Sequence, residues 1–456
     1  MKNFCPFSSL SLLTFLLVAQ FSCAQIEFLQ SGPMLGYCEM REVMIWVQTT
    51  EPAEVKAVYW DSEEPDKKFE TNAYQTNKRE VYTARLIADE VLPGKNYDYQ
   101  LYINNKPVKL DNPTSFSAQT DWAYKIDPPA FSVAMGSCAY INDPPYDRPG
   151  KPYGSNYQIF QSISNKNPDV MLWLGDNMYL RPADFYSRTG IMHRYTHTRS
   201  LPEMQSLLAN AHHYAVWDDH DFGPNDSDRS YTHKEVTLEA FKLFWGNPTY
   251  GVNHKGGTTS FFKWNDIDFF LLDNRYFRSP DRRETGESTM LGEDQLEWLI
   301  DALTYSRAPF KMVVLGSQVL NTAPVFENYA NRNKEERARL LKAIEEEDLK
   351  GVIFLTGDRH KSELSAYENG AGNMVYDLTV SPLTSGWYNS EDEPNEMRVE
   401  GTHVAQHNFG IIEFTGPFRE RVLTMKLFDA DGKELWKHVI EEQVIYGTKE
   451  KTEKKD

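Results

Sequence analysis

A chain of 456 residues is too long for one ordinary hydrophobic core, so length predicts two domains and a processed segment. Hydrophobic residues at 40%, charged residues at 25% and aromatic residues at 13% describe a globular chain and exclude the fibrous and disordered classes. With 66 acidic against 48 basic side chains the net charge is −18, which excludes a basic nucleic-acid-binding surface; an anionic ligand would need positive charge supplied locally, and bound cations supply it compactly.

Residues 1–24 have the pattern of a signal peptide: Lys2, the apolar run Leu10 to Ala19, then Ser22-Cys23-Ala24 as a small-x-small cleavage site before Gln25. The apolar run is too short to span a bilayer, so no transmembrane helix is expected after processing. Export to the periplasm, the cell surface or the medium is the expectation. In a second reading Cys23 is lipidated and the protein is an outer-membrane lipoprotein. Cleavage at Ala24 leaves Cys38 and Cys138, either as a disulfide or as two buried thiols.

Residues 25–125 carry short alternating runs such as REVMIWVQT, VYTARLIAD and YDYQLYIN, separated by turn-forming stretches such as SEEPDKK and LPGKN, which predict a small all-β sandwich. Beyond a proline-containing linker the pattern changes, and residues 130–445 read as an α/β domain. Apolar strands end one after another in polar residues: FSVAMGSC, DVMLWLGDN, HYAVWDDHD, FFLLDNR, FKMVVLGSQ, GVIFLTGDRH and MVYDLTVS. Helical periodicity marks SNYQIFQSISNK, EVTLEAFKLFW, GEDQLEWLIDAL and KEERARLLKAIEEE between them. Alternating strands and helices predict a layered sheet with ligands at the carboxyl ends of its strands. A final strand pair with an Asp-Gly turn closes the domain, and residues 446–456 form a charged tail.

The chemistry-bearing residues sit at those strand ends. They are Gly136-Ser137-Cys138, Gly175-Asp176-Asn177-x-Tyr179, Asp218-Asp219-His220-Asp221 with Asn225 behind it, Asp273-x-Arg275, Gly316-Ser317-Gln318, and Gly357-Asp358-Arg359-His360 with Glu363. Glycine permits a tight turn and the following Asp presents a carboxylate able to bridge two cations. Asp also begins ordinary turns, but two Gly-Asp strand ends with an Asp-x-His and a remote Asn are hard to explain that way. Carboxylates and an amide suit hard divalent ions, whereas a thiolate and a phenolate favour a high-valent or borderline metal, so a heterometallic centre is expected.

In this order the GSC, GDNxY, DDHDFGPND, DNRYFR and GDRH motifs resemble the PhoD-like alkaline phosphatases and phosphodiesterases of the metallophosphatase superfamily, over about residues 30–440. The resemblance implies a layered αββα metallophosphatase-type sandwich preceded by a small all-β domain, with Fe(III) and Ca(II) in the site and Mn, Zn or Mg as other divalent possibilities. It implies that Cys138, Asp176 and Tyr179 hold the iron, that Asp176 bridges to a second ion, that Asn225 and His360 serve the calcium side, and that Asp358 binds within the cluster. DDHD departs from the more usual DDHE form and the Gly-Pro-Asn spacing differs from some relatives, so the register of Asp218, Asp219, His220 and Asn225 stays open. His220, Asp219 and Arg275 are the candidate catalytic residues. His220 would be a general acid or phosphate contact, or simply a polar tie between strand ends; Asp219 a ligand or a carboxylate orienting one; Arg275 a bidentate phosphate clamp or the partner of Asp273.

The implied function is hydrolysis of phosphate monoesters, diesters or both by metal-activated water, with a phosphate ester as partner. A second reading takes a lipid head group or cell-wall polymer as the diester substrate. A third, of another class, is an exported binding protein whose α/β domain is catalytically dead.

Overall fold

The computed structural model describes residues 28–325 and 328–442. The signal-like segment, Cys23 and the charged tail lie outside the described residues. Among the described residues no helix is long and apolar enough to cross a membrane.

The first part of the chain is all β: β1 (Leu29–Cys38), β2 (Val43–Thr49), β3 (Glu54–Asp61), β4 (Lys68–Glu70), β5 (Tyr74–Gln75), β6 (Thr83–Ala88), β7 (Asn96–Ile103), β8 (Lys106–Pro107) and β9 (Ser115–Ser117). In β7 every second side chain is buried, the alternation expected of a strand with one face on a core. Then follow β10 (Phe131–Gly136), α1 (Gln158–Ser164), β11 (Val170–Leu174), α2 (Arg188–Arg199), α3 (Pro202–Asn210), β12 (His212–Val216), α4 (Asp219–Phe222), α5 (Lys234–Phe244), β13 (Ser260–Trp264), β14 (Ile267–Leu271), α6 (Glu293–Tyr305) and β15 (Lys311–Val314). The chain closes with α7 (Tyr329–Arg332), α8 (Lys334–Glu346), β16 (Val352–Thr356), β17 (Glu363–Glu368), β18 (Met374–Thr379), β19 (Asn408–Thr415), β20 (Val422–Asp429) and β21 (Glu434–Glu441).

Among the described residues three sheets result. The largest has the order β21-β20-β19-β10-β11-β12-β1-β2-β6, the second β13-β14-β15-β16-β18-β17, and the third β4-β3-β7-β8 with β5 on β3 and β9 on β7. Within the first two, β10, β11 and β12 run parallel, as do β14, β15, β16 and β18. Such strands are buried on both faces and read as continuous apolar runs, as VMLWL of β11 and VIFLT of β16 do. One core fills the space between the two large sheets, with Val133, Leu172 and Val216 from one side and Phe269, Val314 and Leu355 from the other. A second core packs α1, α2, α3 and α5 on the outer face of the first sheet, and a third packs α6 and α8 on the outer face of the second. The order of layers is helix, sheet, sheet, helix, as expected.

The amino-terminal strands add a feature the alternation pattern did not predict. β1, β2 and β6 face the third sheet across a shared core, so a sandwich is present, but they also extend the nine-stranded sheet through Leu35 of β1 beside His212 of β12. One layer of the sandwich is therefore continuous with the α/β layer that carries β10 to β12.

Two histidines of β12 pin this layer. His213 accepts from Trp173 Nε1 at Nδ1 (2.9 Å) and meets the Leu207 carbonyl at Nε2 (3.0 Å), an arrangement that only the neutral ring with its proton on Nε2 can make. Burial pushes His213 down to about 3 and His212 to about 4 from 6.5. Because the unfolded chain binds these protons first, their contribution is complete above about pH 6.5 and is lost as the pH falls toward the folded values. Replacing His213 by Gln should flatten the loss of unfolding free energy between pH 6.5 and 4 by up to about one proton, or ~1.4 kcal/mol per pH unit. Denaturant titrations across that range measure it, and an unchanged slope would refute the assignment.

Candidate metal centre

The carboxyl ends of the parallel strands from both large sheets converge. Cys138 lies two residues beyond β10, Asp176 two beyond β11, Asp218 two beyond β12 with Asp219 opening α4, and Asp358 and His360 just after β16. At four of these positions the backbone turns through the left-handed region: φ is 58° at Cys138, 51° at Asp176, 65° at Asp358 and 51° at His360. Non-glycine residues adopt that conformation at a cost of about 1–3 kcal/mol each, and the surrounding structure must hold them there. It does so with main-chain bonds between the ends: Ala139 N to Asp176 O at 2.8 Å, Cys138 N to Gly175 O at 3.3 Å, and Gly357 N to Gly316 O at 2.9 Å.

Three overlapping groups of potential ligand atoms form at the convergence, with the atoms in each lying within 4.8 Å of one another. They are Cys138, Asp176 and His360; Asp176, Asp219 and His220; and Asp218, Asp219 and Asp358. Asp176 and Asp219 each belong to two groups, which is the disposition a bridging carboxylate needs. Cys138 Sγ lies 3.7 Å from Asp176 Oδ2 and 3.6 Å from the Asp358 carbonyl, and accepts from Ser381 Oγ at 3.3 Å. Tyr179 OH is 3.5 Å from His360 Nε2, and its ring is 4.2 Å from that of His220. His360 Nδ1 rests against the Gly386 carbonyl, and its ring stacks on Tyr388 at 5.2 Å, so Nε2 is the nitrogen that faces the cluster.

The electrostatics are those of crowded anions out of water. Burial raises the Cys138 thiol to about 12, with the charge of Asp358 adding to it. Burial likewise pushes Asp176 well above the carboxylate range, reinforced by Asp219, and pushes up the Tyr179 phenol. Burial would raise Asp219 too, but His220 and Arg275 outweigh it and hold that carboxyl low. Burial also lowers His220. His220 Nδ1 and Asp219 Oδ1 are buried here without a hydrogen-bond partner. Acids that keep their protons when alone give them up to a cation, so this donor set fits metal ions, with sulfur and phenol on one side and only carboxylates on the other.

The cluster therefore unites Cys138, Asp176, Tyr179, Asp219, His220, Asp358 and His360. Asn225 stands at an exposed turn, and the next residue, Asp226, donates its N–H to Asp219 Oδ2 at 2.7 Å. Arg275 is fully buried behind the cluster: its Nε donates to Asp218 Oδ1, Nη2 is 4.0 Å from Asp219 Oδ1, and its contact with Asp273 is through the backbone N–H. Asp273 accepts from Trp217 Nε1, and Glu363 is buried among Lys361, Arg398 and Gln318. Cys38 and Cys138 are free thiols, which removes the disulfide reading. Cys38 sits in the sandwich core, 3.2 Å from the Ser117 carbonyl.

Sequence reasoning left the register of Asp218 open, named Asp221 only as part of the DDHD run, and gave no role to Asn274 or Ser381. Asp218 completes the all-carboxylate group and is held by Asn274 Nδ2 at 2.8 Å. Asp221 accepts from the N–H groups of Asn177 and Asp218, tying two ligand-bearing turns together. Doubled aspartates in DDHD were a signal for Asp218, and the polar end of MVYDLTVS was one for Ser381. The glycine before Asp176 and Gly316 explain why Asp218 fits: a Cβ on Gly175 would lie 2.8 Å from Asp218 Cβ, and one on Gly316 2.5 Å from Asp218 Cγ.

Two facing sheets between helical layers, with sulfur, nitrogen and oxygen donors gathered at strand ends, define a metallophosphatase-type fold. The solved structure of PhoD is similar with a TM-score of 0.71 and 15% identity, over 90% of this chain and 92% of that one. The purple acid phosphatase PPD1 from yellow lupin (Lupinus luteus) seeds is similar with a TM-score of 0.65 and 12% identity, over 90% and 74%. The chain belongs to the PhoD-like phosphatase family, whose profile matches residues 133–419. A second profile, for a domain of unknown function (DUF7800), matches residues 27–121. Alkaline phosphatase D of Bacillus subtilis (strain 168) is 20% identical over 332 residues, 62% of this chain, and the match spans about half of that protein, 54%.

Replacing Gly316 by Ala should drive its new methyl into an Asp218 carboxylate that Arg275 and Asn274 prevent from retreating. The expected cost is about 1–3 kcal/mol of stability, together with loss of cation from the all-carboxylate group. Denaturation midpoints and elemental analysis check both, and a fully loaded variant of unchanged stability would contradict the crowding argument.

Proposed function

We propose that the protein is an exported, metal-dependent phosphoesterase that hydrolyses phosphate monoesters, diesters or both by attack of water. The observation that carries this reading is the chain of three ligand groups sharing Asp176 and Asp219. Cys138, Asp176 and Tyr179 would hold Fe(III), and Asp218, Asp219 and Asp358 supply the oxygens that suit Ca(II) or, in its place, Mn, Mg or Zn. The grouping of His360 with Cys138 and Asp176 supports a role for it on the thiolate side, beside the calcium-side role that the resemblance implied. Asn225 would add its amide oxygen from the turn that also caps Asp219.

Bound cations would neutralise phosphoryl oxygens and lower the pKa of the attacking water. The chain's own residues set the rest. Arg275 and Asn274 hold Asp218 in one orientation, and Asp221 locks the turns on either side of it. Asp219, kept ionised by His220 and Arg275, offers its carboxylate to two groups at once. His220, whose Nδ1 no protein group occupies, would steady the leaving oxygen as charge grows there. The catalytically dead reading is disfavoured because every group has its donors intact. Export rests on the signal-like segment, and a lipid anchor at Cys23 is the variant of it that residues outside the structure would decide.

Two measurements test this reading. Purified protein should contain iron and calcium and absorb in the visible, as Fe(III) bound by thiolate and phenolate does, and Cys138→Ser should shift or abolish the band and lower activity by about 10–100-fold. A colourless, metal-free enzyme of full activity would end the proposal. His220→Ala should lower kcat by about 10²-fold or more on alkyl phosphates and much less on nitrophenyl esters, whose leaving groups need no help; equal losses on both would assign His220 a purely structural or ligand role.

A further inference from the structure

Arg181 follows the turn that carries Asp176 and Tyr179. The residue before it is anchored to the cluster, Leu180 N donating to His220 O at 3.1 Å. A turn closes immediately after it, Asp184 N donating to Arg181 O at 2.7 Å and Asp184 Oδ2 accepting from Arg181 N at 2.9 Å. The guanidinium lies 5.9 Å from the centre of the Tyr140 ring, Tyr140 is 5.0 Å from Tyr179, and Tyr179 is 4.2 Å from His220.

What sets this arginine apart is its lack of a carboxylate. Asp184, which accepts from the Arg181 backbone N–H, is paired with Arg194 Nε at 2.9 Å, and Asp147 accepts from the hydroxyl of Tyr140, the ring beside Arg181, at 2.6 Å. Other buried arginines around the site are paired, Arg275 with Asp218 and Arg359 with Glu393. Arg181 is half-buried, its Nε is shut off from solvent, and that atom has no hydrogen-bond partner. Withholding even one guanidinium N–H from water without a partner costs free energy, and in a chain of net charge −18 an acid could readily have been supplied. An anion arriving from solution would satisfy it.

We propose that Arg181 contacts the substrate, binding a non-bridging phosphoryl oxygen, and that it favours phosphate monoesters over diesters. The assignment rests on the phosphoesterase reading. A monoester dianion presents one more anionic oxygen than a diester, in which that position carries a second ester group. The fork of a guanidinium suits such oxygens in a way that a neutral ester oxygen cannot match.

The test compares p-nitrophenyl phosphate, bis(p-nitrophenyl) phosphate and inhibition by inorganic phosphate in the wild type, Arg181→Gln and Arg181→Lys, with bound metal measured in each. Arg181→Gln should lower kcat/KM for the monoester by about 10–100-fold and weaken phosphate inhibition in parallel, while changing the diester by less than about threefold. Arg181→Lys should recover part of the loss, and metal content should stay at the wild-type level. No change, or an equal loss on both esters, overturns the assignment. If the wild type hydrolyses neither ester, the phosphoesterase reading has failed, and calorimetry with inorganic phosphate still decides about Arg181: binding lost in Arg181→Gln supports the contact, and binding retained overturns it.

Discussion

Mutual repulsion among buried acids at the meeting of two sheets is the constraint on which the rest of this molecule depends. Asp176, Asp218, Asp219 and Asp358 face one another with a thiol, a phenol and two imidazoles, all of them buried or half-buried. Without cations such a set can exist only by keeping protons, which is why burial drives Asp176, Cys138 and Tyr179 upward. Protein partners relieve only part of the charge. Arg275 and Asn274 address Asp218, and His220 and Arg275 address Asp219. The remaining charge defines what the site can take in: positive ions first, then an anion presented to those ions.

Holding such groups together requires an apparatus stiffer than the groups themselves. The turns after β10, β11 and β16 leave their strands through left-handed residues, whereas Asp218 after β12 is extended and caps the short helix that follows. Glycines stand where the second sheet presses closest, Gly316 against Asp218 and Gly357 against Ser137 and the Leu174 carbonyl. Asp221 and Ser381 then bind backbone N–H groups of neighbouring turns, so that a shift in one turn is carried to the next. The cost of these strained turns is met by the apolar strands behind them, which are buried along their whole length.

Legibility in the sequence followed the kind of physics involved. Strands, their polar ends and four helices could be read because burial on both faces, or on one stripe, writes itself as hydrophobic periodicity. Helix α2 escaped that reading, since its buried face includes Arg194 and Arg199. Arg194 is neutralised by Asp184, and Arg199 lies 4.0 Å over the ring of Trp245, so charged residues occupy positions where the pattern demands apolar ones. Continuity of the sandwich with the α/β sheet was equally hidden, because it depends on contacts between strands far apart along the chain, Leu35 beside His212, the Gly36 carbonyl at His212 Nδ1 and Cys38 N on the Tyr214 hydroxyl.

The amino-acid order alone determined the layered α/β class, the strand ends that bear chemistry and the identity of most of the clustered donors, because those properties are local: apolar runs, a glycine before an aspartate, a cysteine closing a strand. Tertiary structure decided which donors share a cation, that Asp219 as well as Asp176 stands in two groups, that Arg275 faces inward to Asp218 while Arg181 is left without an acid, and that the two cysteines stay apart. These are distances between atoms far apart along the chain. They follow from how two sheets pack, and no short stretch of sequence records that.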